Sequence, residues 1–325
     1  MRVSAIRWPY TRVLLARTRL AYVHLQNLLT DAKRDRAARV FGYVAVWLPE
    51  ELLLLYLQEG EVVTATSTRD GRVFDDVPIR EALRRVPHAA EYGEVCFHEA
   101  ADEQLACMYT AQRQPPEELP PEVRAADGTA LMAHLLASTY DGMLEVAVGG
   151  GLNYIVLRHG VPRRAYFADG LRGGTMDASL RELWVAAGTS PPVVRRWPVP
   201  PPLPNQVPPA LIDAYRVLAR GLAERLTAEG VRNATQLMER AREAQRGAHP
   251  ALERMSLAAG PTEDPVTSTR ALTNAVAAWL KDVLWAAALP DSTSPEAILA
   301  ALTRERRHAF KTAGLFDALP WKLPP

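Results

Sequence analysis

Three glycines in a row, Gly149-Gly150-Gly151, are the residues whose type first invites chemistry. A run of open backbone N–H groups can cradle a phosphate, provided that a helix N-terminus follows and faces the anion. Here an apolar, β-branched stretch follows instead, which predicts a hairpin turn. A second stretch, Gly170-Leu171-Arg172-Gly173-Gly174-Thr175, carries a basic residue and could hold an anion through its amides. It lacks the Lys-Ser/Thr ending of a phosphate loop and reads as a loop between a strand and a helix.

The other candidates are sparser. The seven histidines are scattered, with neither the paired spacing of a zinc site nor a His-Glu-x-x-His helix. Cys96 and His98 would share one face of a strand, but two ligands do not complete a metal site. The spacing predicts a buried thiol and an exposed imidazole. Asp75-Asp76, Glu50-Glu51 and Glu117-Glu118 fall in turns or beside prolines, away from the walled pocket that an acid–base pair needs. No Gly-x-Ser-x-Gly elbow is present. These residues predict no catalytic group, no bound metal and no cofactor.

The elements that would position any site are clearer, because the chain states them twice. Gly142 to Gly170 reads as strand, turn, strand, tight turn at His159-Gly160, strand. Gly42 to Gly71 carries the same punctuation, so that Gly42 and Gly142, Leu57 and Leu157, Gly60 and Gly160, and Ala65 and Ala165 coincide without a gap. Each copy is preceded by a segment ending in a Leu pair, Leu28-Leu29 or Leu135-Leu136. From Leu20 to Leu29 the apolar spacing approximates a helix within the segment Val13 to Asp31. A short helix and a further strand follow in each copy, at Ile79–Val86 and Glu94–Phe97, then at Ser179–Ala187 and Val193–Trp197. A closing helix over Asp102–Gln112 belongs to the first copy, which also carries an insertion around Lys33 to Arg39.

Proline-rich stretches at Pro115–Asp127 and Trp197–Pro209 predict linkers. After the second, the spacing of Leu211, Tyr215, Leu218, Leu222 and Leu226 predicts an amphipathic helix stopped by Gly230. Further helices are expected after Asn233, after Ser268 and after Ser294-Pro295. The predicted class is α+β: two tandem copies of a module with mostly antiparallel strands, over residues 1–114 and 128–200, then an all-helical domain over 208–325.

Length allows several domains, and 23% charged residues with a net charge of +1 argue against a nucleic-acid coat. Two cysteines make no disulfide framework, which points to a reducing, cytoplasmic setting. The arginines of the N-terminus interrupt any secretory core, and Lys281-Asp282 interrupt the most apolar helix, so no membrane span is expected. Two basic surfaces fit a protein partner. One is Lys33, Arg34, Arg36 and Arg39. The other is Arg304, Arg306 and Arg307 with the aromatics Phe310 and Trp321. The partner's identity is open, and a homo-oligomer is compatible with the sequence.

The repeated unit resembles the PATAN module, the PatA N-terminus-like domain of bacterial signalling proteins. The matching residues are Leu57, Gly60, Val62 and Ala65 in the first copy and Leu157, Gly160, Pro162 and Ala165 in the second. Pro162 departs from the usual β-branched residue and predicts an edge strand there. The resemblance implies an α+β protein-interaction module without catalysis, used in two-component signalling and in control of pilus-based or gliding motility. The expectation is a cytoplasmic bacterial scaffold or adaptor. The alternative is a sensor or enzyme for a small, nucleotide-like ligand, with its site between the two modules.

Overall fold

A computed structural model of the chain describes residues 3–34, 40–71, 73–88, 91–120, 123, 128–169, 175–187, 192–257, 263–290 and 293–322. Arg36, Arg39, the side chains of Lys33 and Arg34, and the Gly-rich stretch over residues 170–174 lie outside these described residues. The fold is α+β, with two antiparallel sheets and a helical C-terminal region. It divides into two compact units, residues 1–77 with 82–203 and residues 78–81 with 204–325. Both copies of the repeat therefore belong to one unit rather than to two domains.

In the first unit the strands are β1 (Arg12–Arg19), β2 (Gly42–Trp47), β3 (Leu52–Gln58), β4 (Glu61–Thr68), β5 (Asp75–Asp76) and β6 (Glu94–Glu99). They form one sheet in the order β1-β6-β2-β3-β4-β5. The second copy supplies β7 (Gly142–Val148), β8 (Gly151–Arg158), β9 (Val161–Tyr166) and β10 (Val193–Trp197), in the order β10-β7-β8-β9. The copies agree in register as well as in order. Gly42 pairs with Leu57 and Gly142 with Leu157. Both third strands slip by one residue at the same place, after Tyr56 and after Val156. β9 is an edge strand, so Pro162 withholds no donor from a neighbour on that side.

Side-chain alternation explains the layers. On β2 and β3, Val44, Val46, Leu53 and Leu55 pack outward under the helices α1 (Leu25–Arg34) and α2 (Ile79–His88). Tyr43, Ala45, Leu54 and Tyr56 face the other way. In the second sheet Leu144, Val146 and Ile155 form a core with the helices α4 (Gly128–Ala137) and α5 (Met176–Ala186). Met143, Tyr154 and Trp197 face inward. The two inward faces share one core, and the helix α3 (Asp102–Arg113) lies within it, burying Leu105, Cys107 and Met108. Tyr56 donates to Gln112 of α3 at 2.7 Å, and Tyr166 donates to Glu103 of α3 at 2.8 Å. One helix thus serves both sheets.

The first segment departs from expectation. The chain over Arg12–Arg19 is an edge strand, a 3-10 turn follows at Leu20–Tyr22, and α-helix starts only at Leu25. The reason lies on β6, where Glu99 accepts from Arg12 at 2.7 Å and Glu94 from Arg17 at 2.6 Å. These pairs hold the segment extended against a partner that local spacing does not reveal. The residues ahead of β1 also cross to the second sheet. The Arg7 N–H donates to Gly150 at 3.0 Å, and its carbonyl accepts from Leu152 at 2.9 Å. Nor is the segment after α3 a free spacer: the Glu117 N–H donates to Arg196 of β10 at 2.8 Å, and Leu119 is buried.

The second unit comprises the helices α6 (Pro209–Ala228), α7 (Ala234–Gln245), α8 (Thr269–Ala286), α9 (Pro295–Thr303), α10 (Arg307–Thr312) and α11 (Leu315–Ala318) around one apolar core. Ser268 and Ser294 cap α8 and α9 by accepting from Ala271 and Ala297. Asn233 stands before α7 in the left-handed region, and its side chain makes no cap bond. The tail after α10 packs back through Leu315 and Leu319. No helix among the described residues is long and apolar enough to cross a membrane.

Candidate functional site

Between the two sheets of the first unit lies a cavity of about 710 Å³. That volume falls within the range of small-molecule pockets, about 300–1,000 Å³. Ile6, Phe74, Leu152 and Trp197 give it apolar walls, and the exposed Val73 and Val193 stand at its rim. The elements position its polar groups in a simple way. Arg195, Glu145 and Tyr154 of its lining, with Tyr166 beyond it, are directly opposite one another across β10, β7, β8 and β9, forming one row on the inward face. From the other side, Trp8 enters from the segment ahead of β1 and Gln112 from the last turn of α3.

Three of these groups are buried without a hydrogen-bond partner among the described residues: the Trp8 indole N–H, the Gln112 Nε2 and the Tyr154 hydroxyl. Trp8 is 3% exposed, Gln112 9% and Tyr154 0%. A buried donor without a partner costs about 1–3 kcal/mol, so three around one cavity require a cause. Gln112 is held by its other end, because its Oε1 accepts from Tyr56 at 2.7 Å and from Thr66 at 3.2 Å. The Tyr154 hydroxyl approaches the Glu145 carboxylate on the adjacent strand closely enough for each to shift the other's pKa, but it makes no well-formed hydrogen bond to it.

The charged side chains described in the cavity wall are already paired. Glu145, 4% exposed, accepts from Arg195 at 3.0 Å. Burial pushes its carboxyl pKa up, and the guanidinium pulls it partly back. Arg113 lies 3.1 Å from Asp76 and also donates to the Phe74 carbonyl. Asp76, read from sequence as solvated, further accepts from Tyr109 at 2.8 Å.

The groups singled out from sequence lie elsewhere. Gly149 and Gly150 both have positive φ and form the two-residue turn between β7 and β8, with Val148 opposite Gly151. A Cβ on Gly150 would lie 2.6 Å from the Ala5 carbonyl, so that glycine is where the N-terminal segment docks. Cys96 and His98 do share a face, but His98 is half-buried rather than exposed, with Nδ1 2.8 Å from the Tyr43 hydroxyl. Burial lowers the His98 pKa to about 4 and raises that of the Cys96 thiol to about 12, so neither is charged near neutrality. Among the described residues no group of three or more His, Cys, Asp or Glu could hold a metal ion.

The partner surface of the helical unit needs one correction. Phe310 is 1% exposed and stacks at 5.5 Å on Tyr215, so it is a core residue and not a surface anchor. Arg304 and Arg306 are exposed, and Arg307 lies over the Phe316 ring at 5.2 Å. Trp321 is half-buried and meets Trp285 edge-on at 6.4 Å. Trp285, which the sequence reading left out of the surface, is 64% exposed.

Sequence reasoning also passed over Trp8, Gln112, Glu145, Tyr154 and Arg195. One signal was present. Under the gapless repeat, Glu145 takes the place of Ala45 and Tyr154 that of Leu54, and in the sheet Arg195 occupies the place of Cys96. A carboxylate, a phenol and a guanidinium therefore stand where the first copy keeps apolar or thiol groups. Compared with protein-family models, curated proteins and solved structures, the chain matches none.

Proposed function

We propose that this chain is a non-catalytic regulatory protein that senses a small molecule in the cavity between its two sheets. The observation that carries the reading is the set of three unpartnered, buried polar groups around that cavity. Natural cores pair such groups, so three together around one cavity call for an occupant, and a ligand with matching polar atoms would complete them. The resemblance of the repeat to PATAN modules supports a place in bacterial cytoplasmic signalling, with pilus-based or gliding motility as the setting.

A thermal-shift screen with nucleotides, cyclic dinucleotides and uncharged metabolites tests the reading, in parallel on the wild type and on Ala147→Phe, which fills the cavity. A ligand at a hundred times its Kd adds about 2.7 kcal/mol and raises Tm by several degrees. The shift should vanish in Ala147→Phe. A screen without hits, or hits that survive the filled cavity, would sink the proposal.

A second reading, a protein-interaction adaptor, is favoured by Trp285. It is exposed beside Trp321, with the Lys281 ammonium 5.0 Å from its ring centroid. Aromatic and basic residues together are common binding anchors. Loss of a captured partner in Trp285→Ala would support this reading, and unchanged capture would count against it.

A further inference from the structure

The chemistry of the cavity wall goes further than the existence of a ligand, and this step rests on the small-molecule reading above. We infer that the cavity selects an uncharged, largely apolar molecule carrying a carbonyl-type acceptor, such as an amide, lactone or ketone, with the Trp8 indole N–H and the Gln112 Nε2 as donors to that oxygen.

Three observations carry this. First, the unpartnered groups are donors. An indole N–H can only donate, and the Gln112 Oε1 is occupied by the Tyr56 and Thr66 hydroxyls, which leaves its amide N–H group. The Tyr154 hydroxyl adds a third donor. Second, the two guanidinium groups in the wall are neutralised. Arg195 pairs with Glu145 at 3.0 Å, and Arg113 with Asp76 at 3.1 Å. Among the described residues of the wall an anionic ligand would find no free cation, and it would face the buried Glu145 carboxylate. A cationic ligand would have to compete with Arg195 for that same carboxylate, while the three donors stayed unpaired. Third, the rest of the wall is apolar, from Ile6, Phe74, Leu152 and Trp197, which suits a hydrocarbon or aromatic body.

The second copy is where this specificity resides. Of the row Arg195, Glu145, Tyr154 and Tyr166, the first three replace Cys96, Ala45 and Leu54 of the other sheet. One sheet thus supplies the polar row, while α3 and the N-terminal segment supply the facing donors.

The test uses four probes with one phenyl body: phenylacetamide, phenylacetate, phenethylamine and ethylbenzene. Each is titrated into the full chain, with ligand-observed NMR for affinity and the Trp8 indole N–H cross-peak as the local reporter. Phenylacetamide should bind about tenfold more tightly than the other three, the expected return on one well-made hydrogen bond. It should also move the Trp8 cross-peak. Trp8→Phe should erase the preference and leave ethylbenzene binding unchanged. Tyr154→Phe, which keeps the ring and removes only the hydroxyl, should weaken phenylacetamide alone. Tighter binding of phenylacetate or phenethylamine would overturn the ligand class while leaving the cavity reading in place. An unchanged preference in both variants would overturn the assignment of donors. Binding by none of the four would overturn both the class and the cavity reading.

Discussion

Gly60 and Gly160 hold the same backbone conformation and make the same bond in the two copies. Their φ angles are 79° and 75°, and their N–H groups donate to Val40 and Tyr140, each at 2.8 Å. Each follows a residue that also has positive φ, Glu59 or His159, so both turns are of the tight two-residue kind that a right-twisted hairpin prefers.

Substitution at two glycines of the second copy separates strain from crowding. A Cβ on Gly160 would lie 2.4 Å from the Leu135 carbonyl and 2.4 Å from the Leu136 Cα, whereas a Cβ on Gly149 meets nothing within 4 Å. Both positions have positive φ. Gly149→Ala should therefore cost only the left-handed strain, about 1–2 kcal/mol. Gly160→Ala must in addition displace the end of α4 and should cost about 3 kcal/mol or more. Urea midpoints of the two variants check this, and equal losses would contradict it.

Two tyrosines in the shared core should respond unequally to loss of the hydroxyl. Tyr56→Phe removes a bond to Gln112 and leaves a buried acceptor poorer, which costs about 1–3 kcal/mol. Tyr154→Phe removes a hydroxyl that approaches the Glu145 carboxylate without a well-formed bond, and should stay within about 1 kcal/mol of the wild type. Equilibrium unfolding of both variants without added ligand decides the matter.

Glu145 and His98 give acid and neutral pH opposite effects. Burial raises the folded pKa of Glu145, so the folded state holds its proton more tightly than the unfolded chain does. Its contribution is most favourable below the unfolded value, about 4.3, and declines as pH rises through the folded one. Glu145→Gln should thus gain stability relative to wild type as pH rises across that window. For His98 the folded pKa is lowered to about 4. Its contribution is full above the unfolded value, about 6.5, and is lost as pH falls toward 4. His98→Gln should flatten that acid limb. Melting curves from pH 4 to 8 read both effects.

In the helical unit, Phe310→Ala should cost about 3–5 kcal/mol by leaving a cavity against Tyr215. Trp285→Ala, at an exposed site, should change stability by about 0.5 kcal/mol or less. Thermal or urea unfolding of the pair checks the placement of Phe310 in the core.

Much of the architecture was legible because glycines and alternating apolar residues repeat. The pairing of Gly42 with Leu57 and of Gly142 with Leu157 follows from punctuation visible in the chain. Four successive apolar residues, Leu52–Leu55, fit a strand covered on both faces, and the run is fully buried. What stayed hidden depends on contacts distant in sequence. Arg12 and Arg17 become strand residues only through Glu99 and Glu94. Phe310 looked like a surface aromatic because charged neighbours surround it, yet its position on α10 turns it toward Tyr215. The cavity was illegible for the same reason: Trp8, Gln112 and Tyr154 come from three distant segments and no local pattern unites them. Only the replacement of Ala45 by Glu145 between the copies hinted at it.

The position of α3 sets how freely each part of the chain can vary. Most surface helices tolerate exchange on their outward face, but α3 buries Gln104, Leu105, Ala106, Cys107, Met108, Thr110 and Gln112 within a core shared by two sheets. Its polar side chains are as constrained as its apolar ones, since Gln104 donates to the Pro9 carbonyl and Gln112 receives Tyr56. A single substitution in this helix disturbs both halves of the unit at once. Drift in either copy of the repeat must then be matched to the same twelve residues, so the two copies, though free to diverge in sequence, remain bound to a common template in shape.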